Sequence, residues 1–167
     1  MPAFLIKVTW GKWQTDEPWL SPGELPAGAL FDLRFSNNKL SAWSIEDGNT
    51  NLDRVITALA ANKGKTNIDN LDYVLLEQEV IEKLGIKMEK SRGATPDKAA
   101  NDEWHFDLIE LTVSKIVSLA NCIKGLEIFR KREPQVKALI SRGLKENHID
   151  LSLVDEKLRA RIQGLQQ

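Results

Sequence analysis

A single cysteine, Cys122, stands in a chain of 167 residues. One thiol cannot close an intramolecular disulfide, and it cannot build a thiolate metal cluster. A cysteine among apolar neighbours most often serves as a small buried hydrophobe, and a chain without disulfides fits a reduced, cytoplasmic setting. Histidine is also scarce, with only His105 and His148 available for acid–base chemistry or metal ligation. No apolar stretch is long enough to span a bilayer. The start, MPAFLIKVTWGKW, has neither a basic n-region nor a long apolar core, so no signal peptide and no membrane association are expected. The glycines form no dinucleotide-binding turn, and no serine sits in a nucleophile elbow. Gly64-Lys65-Thr66 looks like the end of a phosphate-binding loop. However, Leu59 stands where that motif needs its first glycine, and a helix rather than a strand precedes it. The net charge of -1 argues against a general nucleic-acid binder.

The hydrophobic fraction of 42% is enough for a core at this length. One integrated domain is expected, made of a sheet-containing part with a crossover helix (1–90) and a helical part (91–167). Five tryptophans are many for this length. Two of them, Trp13 and Trp19, lie with Pro18, Pro22 and Pro26 in the stretch GKWQTDEPWLSPGELPA over 11–27. Connections this long are uncommon in compact domains unless they bind something or pack their own side chains. Rigid aromatics offer contact area at low entropic cost, which makes Trp13 and Trp19 candidate partner-binding residues. The competing expectation is that both indoles tack the loop onto the sheet.

Period-two alternation of Phe4, Ile6, Val8 and Trp10 predicts a first strand with one buried face. A hairpin is expected next, with Leu30–Ser36 and Lys39–Ile45 flanking Asn37-Asn38, because asparagine tolerates the positive φ of a type I′ turn. Leu52, Val55, Ile56 and Leu59 predict a helix capped by Thr50 and followed by Gly64. Tyr73-Val74-Leu75-Leu76 reads as a buried strand, and Val80, Ile81 and Leu84 as a short helix before Gly85. The polar stretch 86–95 reads as a linker.

The dominant prediction is one long helix from about Trp104 to Arg132, with a start as early as Pro96. At 100° per residue, Asp107, Glu110, Ser114, Ser118, Asn121 and Gly125 fall on one narrow stripe, and apolar residues cover most of the rest. Pro134 would end or kink it after Arg130-Lys131-Arg132, where cations suit a helix C-terminus. Val136, Leu139, Ile140 and Leu144 predict another helix. A last one, capped by Asp150 or Ser152, turns Leu151, Val154, Leu158 and Ile162 inward.

Chemistry has few carriers. Asp102 and His105 are three apart, a spacing that can put two metal ligands on one helical face, but a di-iron bundle needs a second such pair and none is present. Arg142 and His148 are separated by five residues. This arrangement resembles the RNase motif of the HEPN superfamily, in which the arginine and histidine usually meet across a dimer to cleave RNA. The resemblance covers seven residues, and Gly143 stands where that family usually has a polar residue. It implies an all-helical fold and RNA cleavage by Arg142 and His148. Lys and Arg outnumber Asp and Glu by nine to five from residue 130 onward. Arg130, Lys131, Arg132, Lys137, Arg142 and Lys145 could therefore form a phosphate-binding patch, although a solvated face is the commoner role.

Taken together, the sequence predicts an α+β protein. A small, mainly antiparallel N-terminal sheet would pack against a C-terminal helical part built on one long central helix. The expected function is that of a non-enzymatic cytoplasmic accessory or adaptor subunit. Its partner would be another protein or a second copy of itself, with Trp13, Trp19, Arg130, Lys131 and Arg132 as contact residues and no cofactor. An RNA-binding or RNA-cleaving role through Arg142 and His148 is the alternative.

Overall fold

Strand β1 (Ala3–Val8) shows how the sheet is built in the computed structural model, which describes residues 2–164. Phe4, Leu5 and Ile6 are all buried, so both faces of this strand are covered rather than one. An interior strand needs hydrogen-bonding neighbours on both edges, and β1 has them in β2 (Leu40–Ile45) and β3 (Leu71–Glu77). The pairing with β3 is antiparallel, with Leu5 opposite Leu75. The sheet is completed by β4 (Lys87–Lys90), β5 (His105–Ile109) and β6 (Phe129–Lys131), and the strand order is β4-β5-β2-β1-β3-β6. The α+β class is as the sequence indicates: a six-stranded antiparallel sheet together with helices that dominate the C-terminal half.

The helices are α1 (Ala27–Asp32), α2 (Leu52–Ala60), α3 (Gln78–Lys83), α4 (Lys98–Glu103), α5 (Val113–Lys124), α6 (Glu133–Lys145) and α7 (Glu156–Gln163). None of them is long and apolar enough to cross a membrane. By contacts the chain divides into two compact units whose segments interleave. The first holds the chain up to Ser44, then Asp72–Lys90 and Phe106–Phe129; the second holds Ile45–Leu71, Ser91–His105 and the chain from Arg130 on.

The continuous helix expected over 104–132 does not form. The segment divides into β5, α5 and β6. Glu110 takes φ +55, which no helix interior accommodates. Thr112 then caps α5 by accepting the Lys115 N–H at 3.3 Å, and the helix stops at Gly125. His105–Ile109 extends because β4 pairs with it, Met88 opposite Leu108. That pairing also converts much of the expected 86–95 linker into an edge strand.

The hairpin prediction is half correct. Asn37 and Asn38 do adopt φ +51 and +57, and Ser36 and Lys39 exchange both backbone hydrogen bonds at 2.9 Å. The arm before them is helical, however: Pro26 precedes α1, and Ala29 and Leu33, four apart, are the buried pair. The helix predictions at 52–60, 78–83 and 133–145 hold, as does the strand through Tyr73–Leu76. The cap of α2 differs. Its N-cap is Asn51, and the Thr50 hydroxyl instead donates to Glu46 at 2.6 Å. The last helix is capped by Asp155, whose carboxylate accepts the Lys157 N–H, while Asp150 caps a single 3-10 turn.

The core of the first unit is formed by Phe4, Ile6, Val8, Val74, Leu76 and Leu108 of the sheet, with Ile116, Leu119 and Ile123 of α5. Fully burying each large aliphatic side chain contributes about 1.5–3 kcal/mol. Aromatic pairs add to this, Phe4 edge-on to Phe106 at 5.4 Å and Tyr73 stacked on Phe129 at 5.5 Å.

In the second unit α2 packs on α6, and α6 on α7. The α2–α6 contact is tight at Gly143, where a Cβ would lie 2.9 Å from the Thr57 methyl. Gly143→Ala is therefore expected to cost about 1–3 kcal/mol through overpacking. Thr57→Ser in the same chain removes the clashing methyl and should recover most of that loss in thermal unfolding. Unchanged stability of the single variant would show that the helices can separate at little cost.

Candidate functional site

Glu46, Thr50, Asp53, Arg54, Trp104, Arg142, Glu146 and His148 line a cleft of about 300 Å³ in the second unit. Its base is the α2–α6 crossing, with Thr57, Leu139 and Gly143 in the lining. Both residues of the RNase-like motif therefore open onto one space. The end of α6 explains how. Asn147 takes φ +56, the His148 N–H bonds to the Gly143 carbonyl at 2.8 Å, and the Asn147 N–H bonds to the Leu144 carbonyl at 3.1 Å. This is a Schellman turn with asparagine in the left-handed position. It folds the chain back on the last helical turn, so His148 returns towards the face that carries Arg142. The all-helical fold implied by the resemblance is not the fold of this chain. The glycine that departs from the family pattern lies at the α2–α6 contact, against the Thr57 methyl.

Each charged group in the cleft has a partner. Asp53 accepts from Arg142 at 2.9 Å and from Lys131 at 3.3 Å. Arg54 forks onto Asp97 at 2.6 and 3.0 Å, a bidentate bond that raises its pKa above the ordinary value. The same guanidinium lies over the Trp104 ring, 5.3 Å from its centroid. Glu46 accepts the Trp104 Nε1–H at 3.1 Å and the Thr50 hydroxyl on its other oxygen. His148 Nδ1 is 3.3 Å from Glu146. Three carboxylates and two guanidiniums line the cleft, so an incoming phosphate would have to displace an existing pair.

Beside it, Lys98 pairs with Asp150 at 2.8 Å. That bond, helped by Ser152, lowers the Asp150 pKa from 3.8 to about 2. A depressed carboxyl pKa stabilises the fold above the unfolded value and loses that contribution as pH falls through the folded one. An NMR titration is expected to place the Asp150 midpoint near 2, and Lys98→Met should move it towards 3.8. An unshifted midpoint in the wild type would contradict the pairing.

The other predicted residues are dispersed. Asp102 pairs with Arg92 at 3.0 Å on α4, whereas His105 is buried at the start of β5 with Nδ1 2.9 Å from the Ser91 hydroxyl. The two do not share a helical face, because the helix ends between them. Among the described residues, no group of three His, Cys, Asp or Glu is placed to hold a metal ion. Arg130 and Arg132 are exposed and Lys131 turns to Asp53, because the triplet runs through a strand end rather than a helix C-terminus.

In the 11–27 loop the two indoles have opposite fates. Trp13 is only 5% exposed and donates its Nε1–H to the buried Asp32 at 2.8 Å. Trp19 is 68% exposed. Thus Trp13 anchors the loop, and only Trp19 offers contact area. Sequence reasoning missed Asp53, Arg54 and Trp104 as cleft residues and Phe31 as an exposed aromatic. Arg54 and its carboxylate are 43 residues apart, and Trp104 and Glu46 are 58 apart, so no local spacing announces either pair.

The first unit carries a second concavity, about 280 Å³, lined by Gly23, Glu24, Leu25, Leu30, Val117 and Asn121. There the loop, α1 and α5 meet. Phe31, next to Leu30 on α1, is 76% exposed, and Val113, one turn before Val117 on α5, is 80% exposed. No protein-family model, curated protein or solved structure matches the chain.

Proposed function

We propose that the protein is a non-enzymatic accessory subunit that acts by binding another protein chain through the first unit. The observation that carries this reading is the groove between the loop, α1 and α5, lined by Leu25, Leu30 and Val117 beside Glu24 and Asn121, with large apolar side chains left exposed on the same elements. Isolated exposed apolar residues are ordinary, but several gathered around one concavity mark an interaction site. A reducing compartment such as the cytoplasm suits it, because Cys122 has no second cysteine to pair with.

Capture with the tagged chain, followed by size-exclusion chromatography, tests the reading. Trp19→Ala combined with Phe31→Asp should abolish association and leave the circular dichroism spectrum unchanged. Association that survives both substitutions would end the proposal.

A second reading, RNA cleavage, is favoured by one observation: Arg142 and His148 line the same cleft. Wild-type protein and His148→Ala should then differ in cleavage of single-stranded RNA, and absence of cleavage by the wild type removes it. Phosphate binding by the cleft should also weaken steeply with salt.

A further inference from the structure

We infer that Asp47 is a site of spontaneous modification: it converts to isoaspartate through its neighbour Gly48, and the change releases the rim of the second-unit cleft. The inference is independent of the partner-binding reading.

Asp47 is the only Asp or Asn in the chain that is followed by glycine. The local turn dictates that pairing. The Asn49 N–H donates to the Glu46 carbonyl at 2.9 Å and closes a four-residue turn over 46–49, within which Gly48 takes φ +75. Residues with a side chain rarely adopt that conformation, so glycine holds the position. Glycine also leaves its own nitrogen uncovered. A Cβ at Gly48 would meet nothing closer than the Thr50 methyl at 4.0 Å. Asp47 and Gly48 are both exposed. Among the described residues, nothing accepts a hydrogen bond from the Gly48 N–H. A main-chain nitrogen that is exposed, unhindered and unbonded is the group with which a neighbouring carboxyl can close a ring.

The step needs no reagent but water. The Gly48 nitrogen attacks Cγ of the protonated Asp47 carboxyl. An N–Cγ bond forms, a Cγ–O bond breaks, and the hydroxyl leaves as water with the amide proton. The product is a five-membered succinimide. Water then adds to the main-chain carbonyl carbon of Asp47, and the original peptide bond to Gly48 breaks. The chain now runs through Cβ and Cγ, and the former main-chain carbonyl is a free carboxylate. Mass and charge are unchanged, but the main chain is longer by one carbon–carbon bond, about 1.5 Å.

Position gives the change its effect. The Glu46 N–H donates to Asn51 Oδ1 at 3.0 Å, and the Glu46 carboxylate accepts the Trp104 indole N–H and the Thr50 hydroxyl. Glu46, Thr50 and Trp104 all line the cleft. A turn lengthened between Glu46 and Thr50 no longer keeps the spacing that these bonds require. The Trp104 indole then loses its acceptor, and the rim opens.

Ageing the purified full chain for several weeks at physiological temperature in heavy-oxygen water tests the inference. Isoaspartate is read as methyl transfer from S-adenosylmethionine by an isoaspartyl methyltransferase, and peptide mapping locates it. The peptide that holds Asp47 is expected to become the main methyl acceptor and to gain one heavy oxygen. Asp47→Glu should lose that signal with unchanged circular dichroism, because glutamate would have to close a six-membered ring. The Trp104 indole N–H resonance, assigned with Trp104→Phe, should split, and its new component should grow in step with the isoaspartate. Aged wild type without isoaspartate at Asp47 overturns the inference, and a synthetic peptide spanning 43–52 that does acquire it would locate the protection in the turn. Equal methyl acceptance by Asp47→Glu overturns it as well. Isoaspartate at Asp47 with an unsplit Trp104 resonance overturns the effect on the cleft.

Discussion

Asp32→Ala is expected to lower stability by about 4 kcal/mol, the largest effect of any single substitution considered. Asp32 is 3% exposed, and its carboxylate accepts the Thr9 N–H and the Trp13 indole N–H. Truncation leaves the buried Trp13 indole N–H and the part-buried Thr9 N–H without their acceptor; an unsatisfied buried donor costs about 1–3 kcal/mol, and water recovers part of that at Thr9. Lys12, 3.6 Å away but 46% exposed, contributes little to this sum. The loss should extend beyond global stability. Trp13 is the only buried residue in the stretch from Gly11 to Glu24, so releasing its indole should free the whole loop, including the segment that lines the groove. Urea unfolding should report the stability change, and hydrogen exchange should show faster loss of the Thr9 amide and the Trp13 indole proton. Asp32→Asn keeps an acceptor oxygen and should retain part of the stability. An alanine variant within about 1 kcal/mol of the wild type would mean that water replaces the carboxylate freely.

Asp97→Ala should cost about 3 kcal/mol by a different route. Asp97 is 2% exposed and does two jobs at once: it holds Arg54 bidentately and caps α4 by accepting the Ala100 N–H at 3.0 Å. Breaking a buried pair by removing one partner leaves an uncompensated charge, which costs more than the pair contributes. Arg54 is 27% exposed at its side chain, so water recovers part of that cost. For the same reason Arg54→Met in the Asp97→Ala background should be milder than Asp97→Ala alone, because no charge is then stranded. The cleft should change too. Arg54 covers the Trp104 ring, and a guanidinium without its carboxylate would no longer be held there. Thermal unfolding of the three variants gives the double-mutant cycle. Additive losses would show that the two residues do not act as a pair.

Both carboxylates illustrate why much of the site was invisible in the sequence. Asp32 sits inside an alternation, Phe31-Asp32-Leu33-Arg34-Phe35, that reads as an amphipathic strand with a polar outer face. In the structure it is buried and helical, because Thr9 and Trp13 supply donors that no local pattern predicts. Asp97 follows Thr95-Pro96, which does read as a helix start, and the start is real within two residues. What is not legible is the Arg54 partner 43 residues away.

The 104–132 stretch shows the limit from the other side. Its apolar residues satisfy a helical period over nearly thirty positions because apolar side chains are frequent there, and a five-residue strand contributes too few positions to break the count. Thr112 with its cap geometry and Gly125 were local stop and start signals, and they mark the true ends of α5. His105 follows from the same correction: on a strand it faces the interior beside Ser91, and its spacing from Asp102 carries no meaning.

The sequence by itself determined the elements whose side chains repeat a clear period between strong caps or turns. These are β1, the Asn37-Asn38 turn, α2, β3, α3 and α6, because backbone geometry and side-chain direction are local properties. It also determined the redox chemistry open to a chain with one thiol. Tertiary structure alone decided that Phe31 and Trp19 stay exposed while Trp13 is buried, that β4 recruits residues 105–109 into the sheet, and that Asp53 gathers Lys131 and Arg142. Each of these depends on groups brought together from distant positions. Burial and pairing are properties of a neighbourhood in space, and periodicity along the chain does not encode which neighbourhood a side chain will enter.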